Sequence, residues 1–168
     1  DYFASGVIWE HLLASLRRAA LGFSLASLFG LTLGVLIGRV RSIDRFIGPL
    51  IEVFRQLPPL AIFPVMIILL GLGFRSQVAI VLWASLWPIL LNTISGTRQT
   101  DPVLIKAARS LGCSRLQTFT KVVLPSAVPT IATGLRLGGS YSLLVLVAAE
   151  MIGANSGLGF LIVNRQYN

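Results

Sequence analysis

Charge is scarce in this sequence. Only 12% of its 168 residues are Asp, Glu, Lys or Arg, and the acids number six. Soluble domains carry roughly 25% charged and about 45–50% apolar residues. Here the apolar share is 55% and the mean hydropathy +0.83, too little charge to coat a water-soluble domain. Cysteine occurs once, at Cys113, which excludes an internal disulfide and a cysteine-based metal site. Histidine also occurs once, at His11 near a helix start, where a structural role is the ordinary expectation. No cleavable signal pattern is present, and a start at Asp1 without Met leads us to expect a truncated N-terminus. No nucleophile–base pair, metal cluster or phosphate-binding GxxxxGK loop occurs, so no catalytic site is expected.

What remains is long apolar runs separated by basic residues. The net charge of +8 does not signal nucleic acid, because the cations fall between apolar runs rather than among aromatics on one face. A bilayer core of about 30 Å needs about 20 apolar helical residues. Four segments qualify, at about 20–38, 50–73, 77–96 and 131–153, the second expected to be kinked by Pro58, Pro59 and Pro64. The fold expected is an all-α polytopic helical bundle forming a single membrane domain over 1–168.

Orientation follows from the basic residues, which gather on the cytoplasmic side. Arg39, Arg41, Arg45 and Arg55 follow the first span, and Arg98, Lys106, Arg109, Arg115 and Lys121 follow the third. Only Arg17, Arg18, Arg75 and Arg165 lie on the other side, so the two basic loops are expected in the cytoplasm. In the first span Gly22, Ala26, Gly30, Gly34 and Gly38 recur every four residues. Such a stripe lets another helix approach closely, from this chain or from a second copy.

The 29 residues from Thr97 to Pro125 are too long for a plain connection and too patterned for disorder. Asp101 is placed to cap a helix with Pro102 at its first position. Gly112 suits a left-handed terminating residue after Leu111. Ser114 is placed to cap a second short helix ending near Pro125. The expected product is a basic elbow of two helices, carrying Lys106, Arg109, Arg115 and Lys121, with Val103, Leu104, Ala107, Ala108 and Leu111 as an apolar face. A surface amphipathic helix has similar chemistry. A knob with a glycine break suits a socket better.

The run Ala107-Ala108, Gly112, Val122, Leu124-Pro125 resembles the cytoplasmic loop motif of ATP-binding-cassette importer permeases: EAA, three residues, G, nine residues, I, one residue, LP. The spacing fits throughout. One departure is Lys106, which stands where the motif has Glu and reverses the charge at one contact. Further likeness runs from about Leu12 to Phe160 through Arg55-Gln56-Leu57-Pro58-Pro59, Gly71-Leu72-Gly73, Trp87-Pro88, Gly134-Leu135-Arg136 and Ala149-Glu150-Met151. It is to the nitrate, sulfonate, taurine and bicarbonate branch. The resemblance implies a type I importer permease of the bacterial cytoplasmic (inner) membrane, usually of six spans, of which this chain would hold the second to fifth. It implies a second permease copy, cytoplasmic ATPase subunits that bind the ATP and magnesium, and an external binding protein that delivers substrate. The permease itself would need no cofactor. The coupling contacts implied are Lys106, Ala107, Ala108, Arg109, Leu111, Gly112, Arg115, Leu124 and Pro125.

Arg136 and Glu150 are charges within the fourth span. They stand 14 residues apart, about 21 Å along a helix, so they cannot pair with each other. Each is a candidate for the pathway or a gate. Snorkelling to the cytoplasmic surface is the alternative for Arg136, and a structural contact near the outer end the alternative for Glu150. Pro58, Pro59, Pro64 and Pro88 free backbone carbonyls within spans, which lipid tolerates only beside protein or water, so they too are pathway or gate candidates. Glu52 and Arg55, three apart, are expected to pair locally at the cytoplasmic rim. The rival function is a self-contained channel or secondary transporter with the loop as a surface helix. It calls for a coupling-ion site or selectivity ring, and these spans hold no such cluster of acids.

Overall fold

A computed structural model describes residues 7–154 and 156–166, leaving aside the side chains of Val7, Arg41, Arg165 and Gln166. The side chains of Arg41 and Arg165, counted above for orientation, thus lie outside the described set. All regular elements among the described residues are helices: α1 (Val7–Arg39), α2 (Arg41–Arg55), α3 (Pro59–Leu70), α4 (Phe74–Arg98), α5 (Pro102–Ser110), α6 (Arg115–Thr118), α7 (Leu124–Gly153) and α8 (Leu158–Gln166). A π-turn, Phe119–Val123, runs from α6 directly into α7. Three helical stretches are long and apolar enough to cross a membrane, Ile8–Arg39, Phe74–Arg98 and Arg115–Gly153, and the bent pair α2–α3 makes a fourth if taken as one span.

The centre of the molecule is α4, which packs along both α1 and α7, and these two also touch each other. Both contacts depend on missing side chains. A Cβ on Gly22 would lie 2.6 Å from Val81, one on Gly30 2.8 Å from Ile89, and one on Gly34 2.6 Å from Thr93. Gly38 sits in the same way against Thr97, and Ala26 is wholly buried. The glycine stripe of α1 therefore packs on α4 of its own chain. From α7, a Cβ on Gly134 would meet Asn92 at 2.7 Å, and one on Gly138 would meet Ile89 at 2.9 Å. Close approach to both helices gives α4 the dispersion contacts that hold helices together where lipid removes the hydrophobic drive.

The second apolar segment differs most from expectation. Instead of one kinked span over 50–73, two helices meet at 94° across residues 56–58. Pro58 is the N-cap and Pro59 the first residue of α3, positions where a missing N–H leaves nothing unsatisfied. These two prolines start a helix rather than interrupt one. Of the expected set only Pro64 and Pro88 lie inside helices, in α3 and α4. The amphipathic α2 lays Ile43, Ile47 and Ile51 against Ile37, Leu90 and Ile94, at the end of α4 nearer Arg98. From the apolar α3, Phe63 packs with Ile80, Ala84, Val145 and Ala149 at the other end.

The first span also begins earlier than expected, at Val7 rather than near residue 20, with Arg17 and Arg18 inside the helix. The fourth begins at Leu124, and through the π-turn at Arg115. The helix capped by Ser114 thus does not stop near Pro125. The π-turn widens the helix just before Pro125, whose ring would otherwise press on the carbonyl four residues back.

Candidate functional site

The elbow is built from local signals that all agree. The Asp101 carboxylate accepts from the Val103 N–H at 2.8 Å, and Pro102 opens α5. At the far end the Cys113 N–H donates to the Ala108 carbonyl, and Gly112 takes φ +79°. That is a terminating bend an L side chain rarely adopts. Ser114 and Gln117 form a reciprocal capping box, N–H to Oε1 at 2.9 Å and N–H to Oγ at 3.2 Å. A hydrogen bond of 2.8 Å between the Thr100 and Ser126 hydroxyls ties the elbow's entry to its exit.

Only Ala108 of the expected apolar face turns inward. Val103, Leu104, Ala107 and Leu111 are exposed, Leu111 to 84%, beside exposed Lys106, Arg109 and Arg115. Behind this outer face a cavity of about 600 Å³ is lined by Arg39, Ile105, Arg109, Arg115, Phe119 and others. The Arg39 guanidinium lies 4.9 Å from the centre of the Phe119 ring. Apolar side chains ringed by cations on a stiff projection fit a partner's pocket with an acidic rim.

At the opposite end of the spans, Glu150 is 1% exposed and wholly engaged. It accepts from Arg18 at 2.8 Å, from the Ser15 hydroxyl at 2.7 and 2.8 Å, and from the Gly159 N–H at 3.1 Å. Arg18, 8% exposed, also donates to the Ser156 carbonyl and hydroxyl. The Gly157 N–H donates to His11 Nδ1 at 2.9 Å. Glu150 therefore meets a cation of α1, not water, and the network ties α1, α7 and the α7–α8 turn together. Beside it, a cavity of about 350 Å³ is lined in part by Arg18, Gln77 and Glu150.

Arg136 is placed otherwise. It is exposed on α7, and the ion pairs among the described residues are Arg18–Glu150, Arg55–Glu52 and Arg98–Asp44. Its position along the helices can be measured from the elbow. Thr100 meets Ser126, and Ser126 is ten residues, about 15 Å, before Arg136. Gly134 backs onto the carbonyl of Pro88, itself ten residues before Arg98. Arg136 thus lies about 15 Å along α7 from Ser126 on the way to Glu150, and in a core about 30 Å thick a charge facing lipid there would cost roughly 3 kcal/mol. Pro88, half-buried in α4, frees the Ala84 carbonyl at a similar depth, whereas Pro64 is exposed on α3.

The sequence profile of the binding-protein-dependent transport system inner membrane component family matches residues 26–168. The chain belongs to that family. It is 40% identical over 160 residues to the taurine transport system permease protein TauC of Escherichia coli, covering 95% of this chain and 58% of that protein. To the putative aliphatic sulfonates transport permease protein SsuC of Bacillus subtilis it is 36% identical, with 100% and 61% covered. To the nitrate import permease protein NrtB of Synechocystis it is 38% identical, with 90% and 55% covered. The chain thus spans rather more than half the length of each. Among solved structures, an inward-facing MetNI methionine ABC transporter superposes with a TM-score of 0.76 at 19% identity, covering 99% of this chain and 81% of that one. That likeness is one of fold, an all-α membrane bundle of the type I ABC importer permease kind.

Within this family member the candidate residues form separate groups. Lys106 to Arg115 gather on the elbow, while Leu124 and Pro125 lie at the start of α7. Arg136 stands alone partway along α7 and Glu150 sits at the far end. The sequence reading missed Ser15 and Arg18 as partners of Glu150, since nothing local joins residues 132 apart. It also missed the second small-residue series, Gly134, Gly138 and Ser142, although the same spacing of four was there to be counted.

Proposed function

We propose that this chain is a single permease domain of an ATP-driven importer in a bacterial cytoplasmic membrane. Its solute would be a small anion or organic solute of the kind its relatives are named for. The elbow carries this reading: a capped, basic projection anchored at both ends to membrane helices suits transmission of force from a soluble partner. Two copies enclose the pathway, and an ATPase that binds ATP and magnesium engages each elbow through Arg109, Leu111, Gly112, Arg115 and their neighbours. An external protein delivers the solute. Half-buried Pro88 in α4 is a candidate for the pathway wall, Pro58 and Pro59 set the α2–α3 break as a candidate gate, and Pro64 is a further candidate within α3.

The relatives' names and the loop spacing support this over a self-contained channel. Co-purification tests it. The native complex should bring an ATPase subunit with it, and Arg109→Glu with Arg115→Glu should lower ATP-driven uptake by about tenfold or more while insertion stays normal. A permease purified intact without an ATPase, together with unchanged uptake in the charge variant, would remove the importer reading.

A further inference from the structure

The two faces of α7 differ in chemistry. Toward α4 it buries Gly134, Gly138, Ser142, Val145 and Ala149. The other face carries Pro129, Thr133, Arg136 and Ser140, three or four residues apart and all exposed. Beyond Ser140 this face turns apolar, with Leu143 and Leu144 exposed to 56% and 65%. A stripe that carries a charge without an ion-pair partner among the described residues is a costly surface for lipid. Its hydroxyls are already used as donors: Thr133 gives its proton to the Pro129 carbonyl at 3.1 Å, and Ser140 to the Arg136 carbonyl at 3.2 Å. The free donors on the stripe are the N–H groups of Arg136.

Acids that could cancel this charge are engaged or distant among the described residues. Glu150, the one acid on α7, is bonded to Arg18 and nearly inaccessible. Glu52 and Asp44 pair with Arg55 and Arg98, Asp101 caps α5, and Glu10 lies in the first turn of α1. A guanidinium with open hydrogen-bonding capacity so far along a membrane helix needs water, an anion or a partner from outside these residues in front of it.

We propose that Arg136 is the group that selects anions in the transport pathway. Resting on the permease reading above, two copies bring two guanidinium groups to the same depth. A sulfonate, carboxylate or inorganic oxyanion crossing the midplane trades water for paired N–H donors that match its oxygens. The buried pairing of Glu150 serves the same end, since a free carboxylate farther along would repel the solute.

The test does not require the solute to be known. In the full permease–ATPase complex, with Cys113→Ser, a thiol is placed one turn from the charge by Ser140→Cys. Membrane-impermeant methanethiosulfonate reagents are then added, one bearing a sulfonate and one a quaternary ammonium. Relative to their rates with a free thiol, the anionic reagent should react at least about tenfold faster than the cationic one. Arg136→Gln should abolish that preference and Arg136→Lys keep it, while buried Val145→Cys stays unreactive. An unreactive thiol at 140 overturns the proposal, and so does a preference that survives Arg136→Gln. A third contrary result is dimer loss in Arg136→Gln but not in Arg136→Lys, which would make Arg136 half of an inter-subunit ion pair. Failure of the permease reading looks different: the wild-type complex would contain no ATPase at all.

Discussion

Arg18 and Glu150 meet across 132 residues of chain and are 8% and 1% exposed. Removing either partner leaves the other's charge uncompensated. Arg18→Ala or Glu150→Ala should each destabilise the protein by about 3–5 kcal/mol, read from unfolding in detergent micelles. The double replacement Arg18→Met with Glu150→Leu should cost less than either single change. Strict additivity of the two losses would show that the pair is not coupled. Glu150 was recognisable in the sequence as an unusual acid, but its partner was not. Arg18 looked like an outer flanking charge because the apolar run seemed to begin after it. Gly112 was fully legible, since Asp101-Pro102 and Ser114 bracket it with caps. It has open space around it, so its requirement is one of backbone angle alone. Gly112→Asn, which tolerates the left-handed region, should keep uptake coupled to ATP hydrolysis, and Gly112→Val should uncouple it with insertion unchanged. Equal uptake in both variants would sink that expectation.

Among the elements, α4 shows how much of a helix contact is specified by what is absent. A Cβ at Gly34 would lie 2.6 Å from Thr93, whereas one at Gly139 would meet its nearest neighbour, Phe23, only at 3.9 Å. Gly34→Val should therefore force α1 from α4 and cost about 1–3 kcal/mol, and Gly139→Ala should stay within about 0.5 kcal/mol. Thermal unfolding of the two variants side by side distinguishes them. The spacing of four showed the stripe but not its partner, because periodicity describes one surface at a time. The break between α2 and α3 stayed hidden for a different reason. Proline signals either a kink within a helix or the start of a new one, and only the 94° turn at 56–58 distinguishes the two.

For the whole molecule the consequence is a graded stability. Because α4 packs against both α1 and α7, its amides should exchange most slowly, and those near 56–58 and 71–73 fastest. Hydrogen exchange followed by mass spectrometry in detergent reads this directly, and uniform protection would contradict it. The helical class and span count were legible as length and hydropathy; which helix is central was not, since it depends on contacts between distant segments.

The helix that leaves the elbow does not stop at the membrane surface. From Arg115 to Gly153 it is one rod of 39 residues, about 58 Å long. The Arg18–Glu150 contact is near its far tip. On the permease reading, a force applied at the elbow would run along a helix held to α4 at Gly134 and Gly138 and to α1 at Glu150, so that elbow and buried ion pair would have to shift together.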